Sequence, residues 1–466
     1  MSGKNSDKTY IFEQAPVPKA LLSLAVPTII SQLINLIYNM VDAIYIGRTG
    51  DPYKTAAVSL SFTVFMMTIA FANLYGIGGG SYIARLIGRK DASTARGVCA
   101  FSIYSGIAIG LVYSLLIWVF MRPILNLFGA SENTYAFAEQ YLSIVIVAGS
   151  IPVILSLVLS HLLRNTGYAK QASAGLSGGG ILNIILDPIF MFVLLPEGME
   201  VVGAAIATLL SNIASCVYLL IIMKKTSSGS EYMSMKIADT KILKRADFKS
   251  IFGVGLSSAM LPGLFDVANI ILNSLMAGHG DFQLAAIGIV MKVERLPNAV
   301  NIGLSQGLLP LVAYNYASGN HERMQRSIST ARIWGISFSC VCIAALLLFG
   351  KNICGLFLST TAGDAEKAAA TLAFAATYIT LRAPASLPQF FNYNTSFCMQ
   401  AVGDGRDTVI HACVRILVFY IPLMFLLNSL ISDRGLAMAL PVSETLGAIF
   451  VLSLFSAWKK KNCVNL

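Results

Sequence analysis

Asn183 and Asp187 lie four residues apart in GGGILNIILDPIFM, residues 178–191. In a helix that spacing puts both side chains on one face. Pro188 follows the acid and has no N–H to give the carbonyl of Ile184, so a backbone acceptor is released near the carboxylate. An acid, an amide and a free carbonyl in an otherwise apolar helix make an incipient cation or proton site. The competing account is an Asp capping a helix start, but the apolar pattern continues on both sides of it. A second candidate lies near the N-terminus, where Ser31, Asn35, Tyr38 and Asp42 follow at steps of four, three and four and form one polar stripe. Turned to lipid such a stripe is expensive, so it should face protein or water. The alternative places Asp42 at the membrane boundary, with Arg48 close behind it.

Two carboxylates converging in a medium of low dielectric cannot both stay ionised without a cation. Either one holds a proton or a sodium ion neutralises the pair. Asn183 and Thr208 could supply neutral oxygens to a Na⁺ at Asp42 and Asp187. In the second half of the chain, Asp266 lies in GLFDVANII. Lys292, Glu294 and Arg295 lie about nine to twelve residues into the next apolar span, roughly 14–18 Å along a helix. An ion pair of Asp266 with Lys292 or Arg295 and a substrate or proton-relay role are equally open. FFNYNTSFCMQ, residues 390–400, interleaves aromatics, Asn392, Asn394 and Met399, a surface suited to stacking and cation–π contact with flat cations, or to core packing.

These residues need a lipid-embedded scaffold. The 466 residues are 56% hydrophobic and 12% charged, with mean hydropathy +0.71, where soluble chains carry about a quarter charged residues. The apolar runs have the spanning length of roughly 20 residues and do not alternate as barrel strands would. The chain therefore reads as an all-α integral membrane protein with twelve spans, at 18–46, 54–81, 97–121, 134–160, 171–195, 202–223, 249–278, 283–313, 328–350, 367–398, 407–428 and 435–458. Arg85, Arg89, Lys90, Arg96, Arg164, Lys170, the basic segment 224–249, Arg323, Arg326, Arg406 and Lys459–Lys461 fall on one side, which the positive-inside rule makes cytoplasmic together with both termini. The net charge of +10 is thus a topological signal and no sign of nucleic-acid binding. The eight cysteines are scattered without CxxC spacing and read as small core residues, with no disulfide or metal site. No cleavable signal is visible at residues 1–16.

The long polar segment after span six suggests a repeat. A shift of about 230 residues aligns Ala56-Ala57-Val58 with Ala285-Ala286-Ile287, Ile151-Pro152 with Leu387-Pro388, Gly167 with Gly403, and GAAIATLLS with GLAMALPVS. The expected organisation is an N-lobe of residues 1–225, a cytoplasmic linker at 226–248 and a C-lobe of residues 249–466, the six-helix lobes related by a pseudo-two-fold axis along the membrane normal. There is no GxxxxGK[ST], no metal-ligand spacing among the histidines and no nucleophile–base pattern, so neither an enzyme nor direct ATP drive is expected. No cofactor is expected beyond H⁺ or Na⁺ as coupling ion.

YNMVD at 38–42, YIARLIGRKD at 82–91, RNTGYAK at 164–170, LNIILDPIF at 182–190, VVGAAIATLLSN at 201–212, the opening FEQAPVPKALLSLAVP and LLPLVAYNYASGN together carry a resemblance to the MATE (multidrug and toxic compound extrusion) family, in its MepA-like, DinF-related branch. The resemblance implies two six-helix bundles and export of organic cations and drugs against an inward sodium or proton gradient, from the cell membrane. It also implies an ion site of an acid in span one, an Asn and an Asp in span five and a Thr in span six, which match Asp42, Asn183, Asp187 and Thr208. Asp266 resembles an acidic position of the NorM-like branch, which would make it a second coupling site. The expected partners are small-molecule cations and membrane lipids, and a monomer is expected. The alternatives are a flippase of lipid-linked precursors on a related fold, with Lys292 and Arg295 as its basic cavity, and a non-transporting membrane receptor or scaffold.

Overall fold

A computed structural model describes residues 9–358 and 365–462. Helices account for nearly all of it, and no strand occurs among the described residues. We number the spans α1 (Val17–Gly47), α2 (Pro52–Gly88), α3 (Ala92–Val119), α4 (Glu132–Ala148 and Ser150–Asn165), α5 (Ala169–Leu194), α6 (Glu200–Ser227), α7 (Arg245–Ala277), α8 (Asp281–Ala317), α9 (His321–Gly355) and α10 (Ala365–Arg382 and Ser386–Val402). Gly405–Lys461, 57 residues long, is about twice what a bilayer requires. It breaks at Ile431 and Ser432, where Ser432 takes φ 60° and ψ −141°, so it holds α11 before the break and α12 after it. Among the described residues, eight helices are individually long and apolar enough to span, nine with the two halves of α4 taken together. The break in Gly405–Lys461 adds one. The remaining two are α8, which carries Lys292, Glu294 and Arg295, and α10, which is interrupted at Ala383–Ala385.

Large apolar side chains such as Leu111, Leu115, Trp118, Ile221 and Leu348 lie exposed on the outer faces, which in water would be an aggregation surface and in lipid is the solvated one. Local breaks fall where the sequence loosens the ladder. Residues Ser143–Ala148 of α4 wind as a π-helix ahead of a 50° bend at Gly149, and α5 passes into a π-helical turn, Phe190–Leu194, that begins two residues after Pro188.

Helices α1–α6 form one lobe and α7–α12 the other. Across the seam α1 packs on α8 and α2 packs on α7. Since α7 repeats α1 and α8 repeats α2, these are two copies of one contact, as a two-fold axis requires. One apolar cluster gathers Leu21, Ala25, Ile77 and Ala84 of the first lobe with Val254, Leu308 and Val312 of the second. Glycines allow the approach: a Cβ on Gly307 would lie 2.5 Å from the Ala25 Cα, and one on Gly303 2.7 Å from the Ile29 Cα. At the same end Ser81 Oγ donates to the Gln400 carbonyl at 2.6 Å and the Tyr82 hydroxyl to Asp247 Oδ1 at 2.6 Å. Arg323 of α9 clasps the N-terminal segment, donating to the carbonyls of Phe12 (2.7 Å), Ala15 (2.6 Å) and Ile11 (3.2 Å). The end that carries the inter-lobe linker is therefore the sealed one.

Two expectations on individual residues change. Arg85 and Arg164, read as loop charges, are buried, because α2 and α4 run further than the apolar pattern suggests. Cys340 is exposed rather than packed in a core, whereas Cys99, Cys216, Cys354 and Cys398 are buried; Cys463 lies outside the described residues.

Candidate functional site

The glycine-rich face of α5 brings three helices together. A Cβ on Gly180 would meet the Tyr38 ring of α1 at 3.1 Å, one on Gly175 the Leu219 side chain of α6 at 2.6 Å, and one on Gly203 of α6 the Phe190 carbonyl at 2.7 Å. Small residues allow such close approach of backbones in lipid. One turn further along α5, Asn183 Nδ2 donates to Asp187 Oδ1 at 3.0 Å and reaches Thr208 Oγ1 of α6 at 3.5 Å. Asp187 is fully buried and Asn183 is 3% exposed. Asp42 of α1 lies near enough for the two carboxylates to act on each other electrostatically.

Hydrogen bonding leaves this cluster incomplete. Asp42 Oδ1, Asn183 Oδ1 and Asp187 Oδ2 are buried oxygens without a partner. Unpaired buried acceptors are costly, and three hard oxygens beside a hydroxyl are a donor set suited to Na⁺ or to a shared proton. Tyr141 of α4, which sequence reasoning missed, brings its hydroxyl to Thr208 and lies in the field of both carboxylates. A lone Tyr in an apolar run reads as packing, and nothing in the spacing marks it. No group of three or more His, Cys, Asp or Glu side chains suited to a transition metal occurs among the described residues.

Asn183 and Thr208 also line a cavity of about 430 Å³ between the lobes. Ser31, Gln32, Asn35 and Tyr38 of α1 form part of its wall, so that stripe faces the cavity as its cost in lipid demanded. Asp42 and Asp187 stand behind this wall. The sealed end is floored by Gln32 and Gln306, whose amides meet at 3.2 Å, and by Gln400.

The second lobe differs from expectation. Asp266 lines the cavity, and Arg295 is near enough to act on it electrostatically, but no ion pair joins it to Lys292 or Arg295 among the described residues. Lys292 and Arg295 are exposed and do not line the cavity. Glu294 faces away from the cavity and takes a bidentate ion pair from Arg382 at 2.8 and 2.9 Å. Asn392 and Asn394 are fully buried inside the lobe. Asn392 donates to Glu444 Oε2 at 2.7 Å, and Asn394 accepts from Arg332 at 3.4 Å. The face of α10 that reaches the cavity carries Tyr393, Ser396, Phe397 and Gln400 instead.

Comparison with known proteins places this geometry. The MatE family model matches twice, at residues 27–189 and 263–426, and so returns the internal repeat. The chain is 32% identical over 444 residues to the multidrug export protein MepA of Staphylococcus aureus, covering 95% of this chain and 94% of that one. It is 30% identical over 443 residues to MepA of Staphylococcus saprophyticus, with the same coverage. Among solved structures, MATE in complex with MaL6 superposes with a TM-score of 0.89 at 24% identity, over 97% of this chain and 99% of that one. The outward-facing conformation of a multidrug resistance MATE family transporter superposes with a TM-score of 0.88 at 24% identity, over 97% and 98%. This twelve-helix, two-lobed membrane protein belongs to the MatE family.

Proposed function

We propose that the protein is a cation-coupled antiporter of the cell membrane that exports amphipathic, often cationic, small molecules by alternating access, with both termini in the cytoplasm. The observation that carries this reading is the set of partnerless buried oxygens of Asp42, Asn183 and Asp187, held against a cavity that is sealed at the linker end. The relatives' role as multidrug exporters supports the same direction.

In this mechanism H⁺ or Na⁺ enters from the open end and is held by Asp42, Asp187, Asn183 and Thr208. Neutralising the two carboxylates removes the repulsion between α1 and α5 and lets α1 move against the cavity wall it shares with Tyr38 and Asn35. The wall rearranges and substrate leaves. Substrate binding from the inner side has the reciprocal effect and favours ion release, since coupling between two ligands is the same free energy read from either side. The lipid-carrier alternative rested on Lys292 and Arg295, neither of which lines the cavity.

The test is efflux of ethidium from proteoliposomes under an imposed sodium gradient and, separately, an imposed proton gradient, with wild type beside Asp187→Asn. One gradient should drive the wild type and neither the variant. Full transport by the variant overturns the assignment of the coupling site, and no efflux under either gradient overturns the antiporter reading.

A further inference from the structure

Among the described residues, the inter-lobe cavity is lined by one arginine and one aspartate, on opposite lobes. The arginine is Arg164, in the last turn of α4, 2% exposed and lining the cavity. A guanidinium in a protein stays charged. The other two arginines buried as deeply, Arg382 and Arg415, each hold a carboxylate of their own lobe, Glu294 and Glu444. Arg164 takes part in no ion pair among the described residues. Arg85 is also buried without an ion pair, but it lies over Gly403 at the seam and stacks on the Tyr82 ring, away from the cavity.

Arg164 keeps donor capacity that its own turn does not use, although that turn also holds an unpartnered acceptor, Asn165 Oδ1. The Arg164 Nε is buried without a partner. Its Nη1 meets His161 Nδ1 at 3.4 Å, and because the guanidinium can only donate, Nδ1 accepts and the imidazole is neutral with its proton on Nε2. Asn165 Nδ2 donates to the His161 carbonyl at 2.9 Å and fixes this turn. Ser160, four residues before Arg164 and on the same face, lines the cavity with a buried hydroxyl that also lacks a partner. A buried cation left unpaired is strongly unfavourable, and an ionisable group inside the membrane that lines a cavity marks a substrate or ion path. The aspartate is Asp266 of α7, flanked on the cavity wall by Phe265 and Tyr393.

We propose that Arg164, with His161 and Ser160, forms a carboxylate subsite at the cavity wall, and that the protein takes zwitterionic amphipathic substrates, the carboxylate at Arg164 and the cationic end toward Asp266. A guanidinium fork matches a planar carboxylate through two parallel hydrogen bonds, which gives orientation as well as affinity. The proposal rests on the exporter reading for its substrate class, yet it concerns equilibrium binding, so the two fail separately.

The test measures binding to the purified full-length protein in detergent by fluorescence. The probes are norfloxacin, which carries a carboxylate and a cationic amine, its ethyl ester, which keeps only the amine, and ethidium, a cation without a carboxylate. Wild type should bind norfloxacin about tenfold or more tighter than the ester, the scale of one lost charge-assisted contact. The ratio of norfloxacin to ethidium affinity should fall by about tenfold in Arg164→Gln, and by less in Arg164→Lys, which keeps the charge and loses the fork. Equal affinity of wild type for the acid and its ester overturns the proposal, as does an unchanged ratio in Arg164→Gln. If that variant does not fold, the ester comparison on wild type decides alone. Absence of gradient-driven ethidium efflux alongside tight norfloxacin binding would reject the antiporter mechanism and leave the subsite standing.

Discussion

Gly78 of α2 and Gly255 of α7 meet across the seam so closely that a Cβ on Gly78 would lie 3.0 Å from the Gly255 Cα and 2.4 Å from the Ile251 carbonyl oxygen. A Cβ on Gly255 would lie 2.1 Å from the Leu74 carbonyl oxygen. Both obstacles are backbone and cannot rotate away. Gly255→Val should therefore leave each lobe intact and oppose closure of the linker end. Overpacking of this kind costs about 1–3 kcal/mol. Borne by one conformation only, that shifts the equilibrium about 5–150-fold toward opening at that end. Labelling of a cysteine introduced at Gln306, on the cavity floor, by an impermeant thiol reagent in inside-out vesicles checks it. Labelling should rise in the valine variant while the efflux rate falls.

Asp187→Asn preserves size and lets Asn183 Nδ2 keep its acceptor, so the variant should fold as well as wild type. What disappears is the charge that holds the ion. Wild type should be stabilised by either sodium or acid, by about 2.7 kcal/mol when the ion stands at a hundred times its Kd. The variant should lose that response without losing baseline stability. Thermal unfolding in detergent against sodium at fixed pH, and against pH without sodium, reads both. An ion-dependent shift retained by the variant would move the site elsewhere.

Tyr141→Phe removes one hydroxyl beside Thr208 and keeps the packed ring. If that hydroxyl orients Thr208 toward the ion, its loss should raise the half-saturating ion concentration for efflux about three- to tenfold, the worth of one hydrogen bond. The maximal rate should change less. An unchanged ion dependence would reduce Tyr141 to a packing residue.

The sequence makes the first-lobe cluster legible because an amide and an acid at i and i+4 in an apolar helix are too expensive in lipid to be incidental. Tyr141 stays hidden because a phenol is amphipathic and needs no such explanation. In α10 the stretch is read correctly and the face wrongly. Asn392 and Asn394 look like cavity groups, but their partners, Glu444 and Arg332, come from α12 and α9, which no local spacing reveals. Ser396, Phe397 and Gln400, three, four and seven residues after Tyr393, form the cavity face with it, a pattern that local spacing alone could equally assign to the core. Arg85 and Arg164 are misplaced for a related reason. A charge at the end of an apolar run reads as a loop residue, whereas the helices here extend past the apolar core to carry both arginines inside the protein.

Glu444→Gln tests whether the second lobe's buried network is structural. Arg415 donates to Glu444 through Nε at 3.0 Å and Nη2 at 2.8 Å, and its guanidinium lies between the rings of Phe265 and Tyr393, 4.8 and 4.9 Å from their centroids. Asn392 bridges Glu444 to His411, which is held at its other nitrogen by Ser396 at 2.9 Å. Removing the carboxylate charge leaves Arg415 buried against an amide that offers its own N–H donors. Stability should fall by about 3–5 kcal/mol, the cost of breaking a buried pair from one side. Replacing both partners, as Arg415→Met with Glu444→Leu, should recover much of that loss, because the pair's desolvation cost goes with it. Unfolding in mixed micelles measures both. Since Ser396, Phe265 and Tyr393 also line the cavity, the single variant should weaken ethidium binding as the wall loosens, and the double variant should restore part of it. A single variant as stable as wild type would mean that water already reaches Arg415.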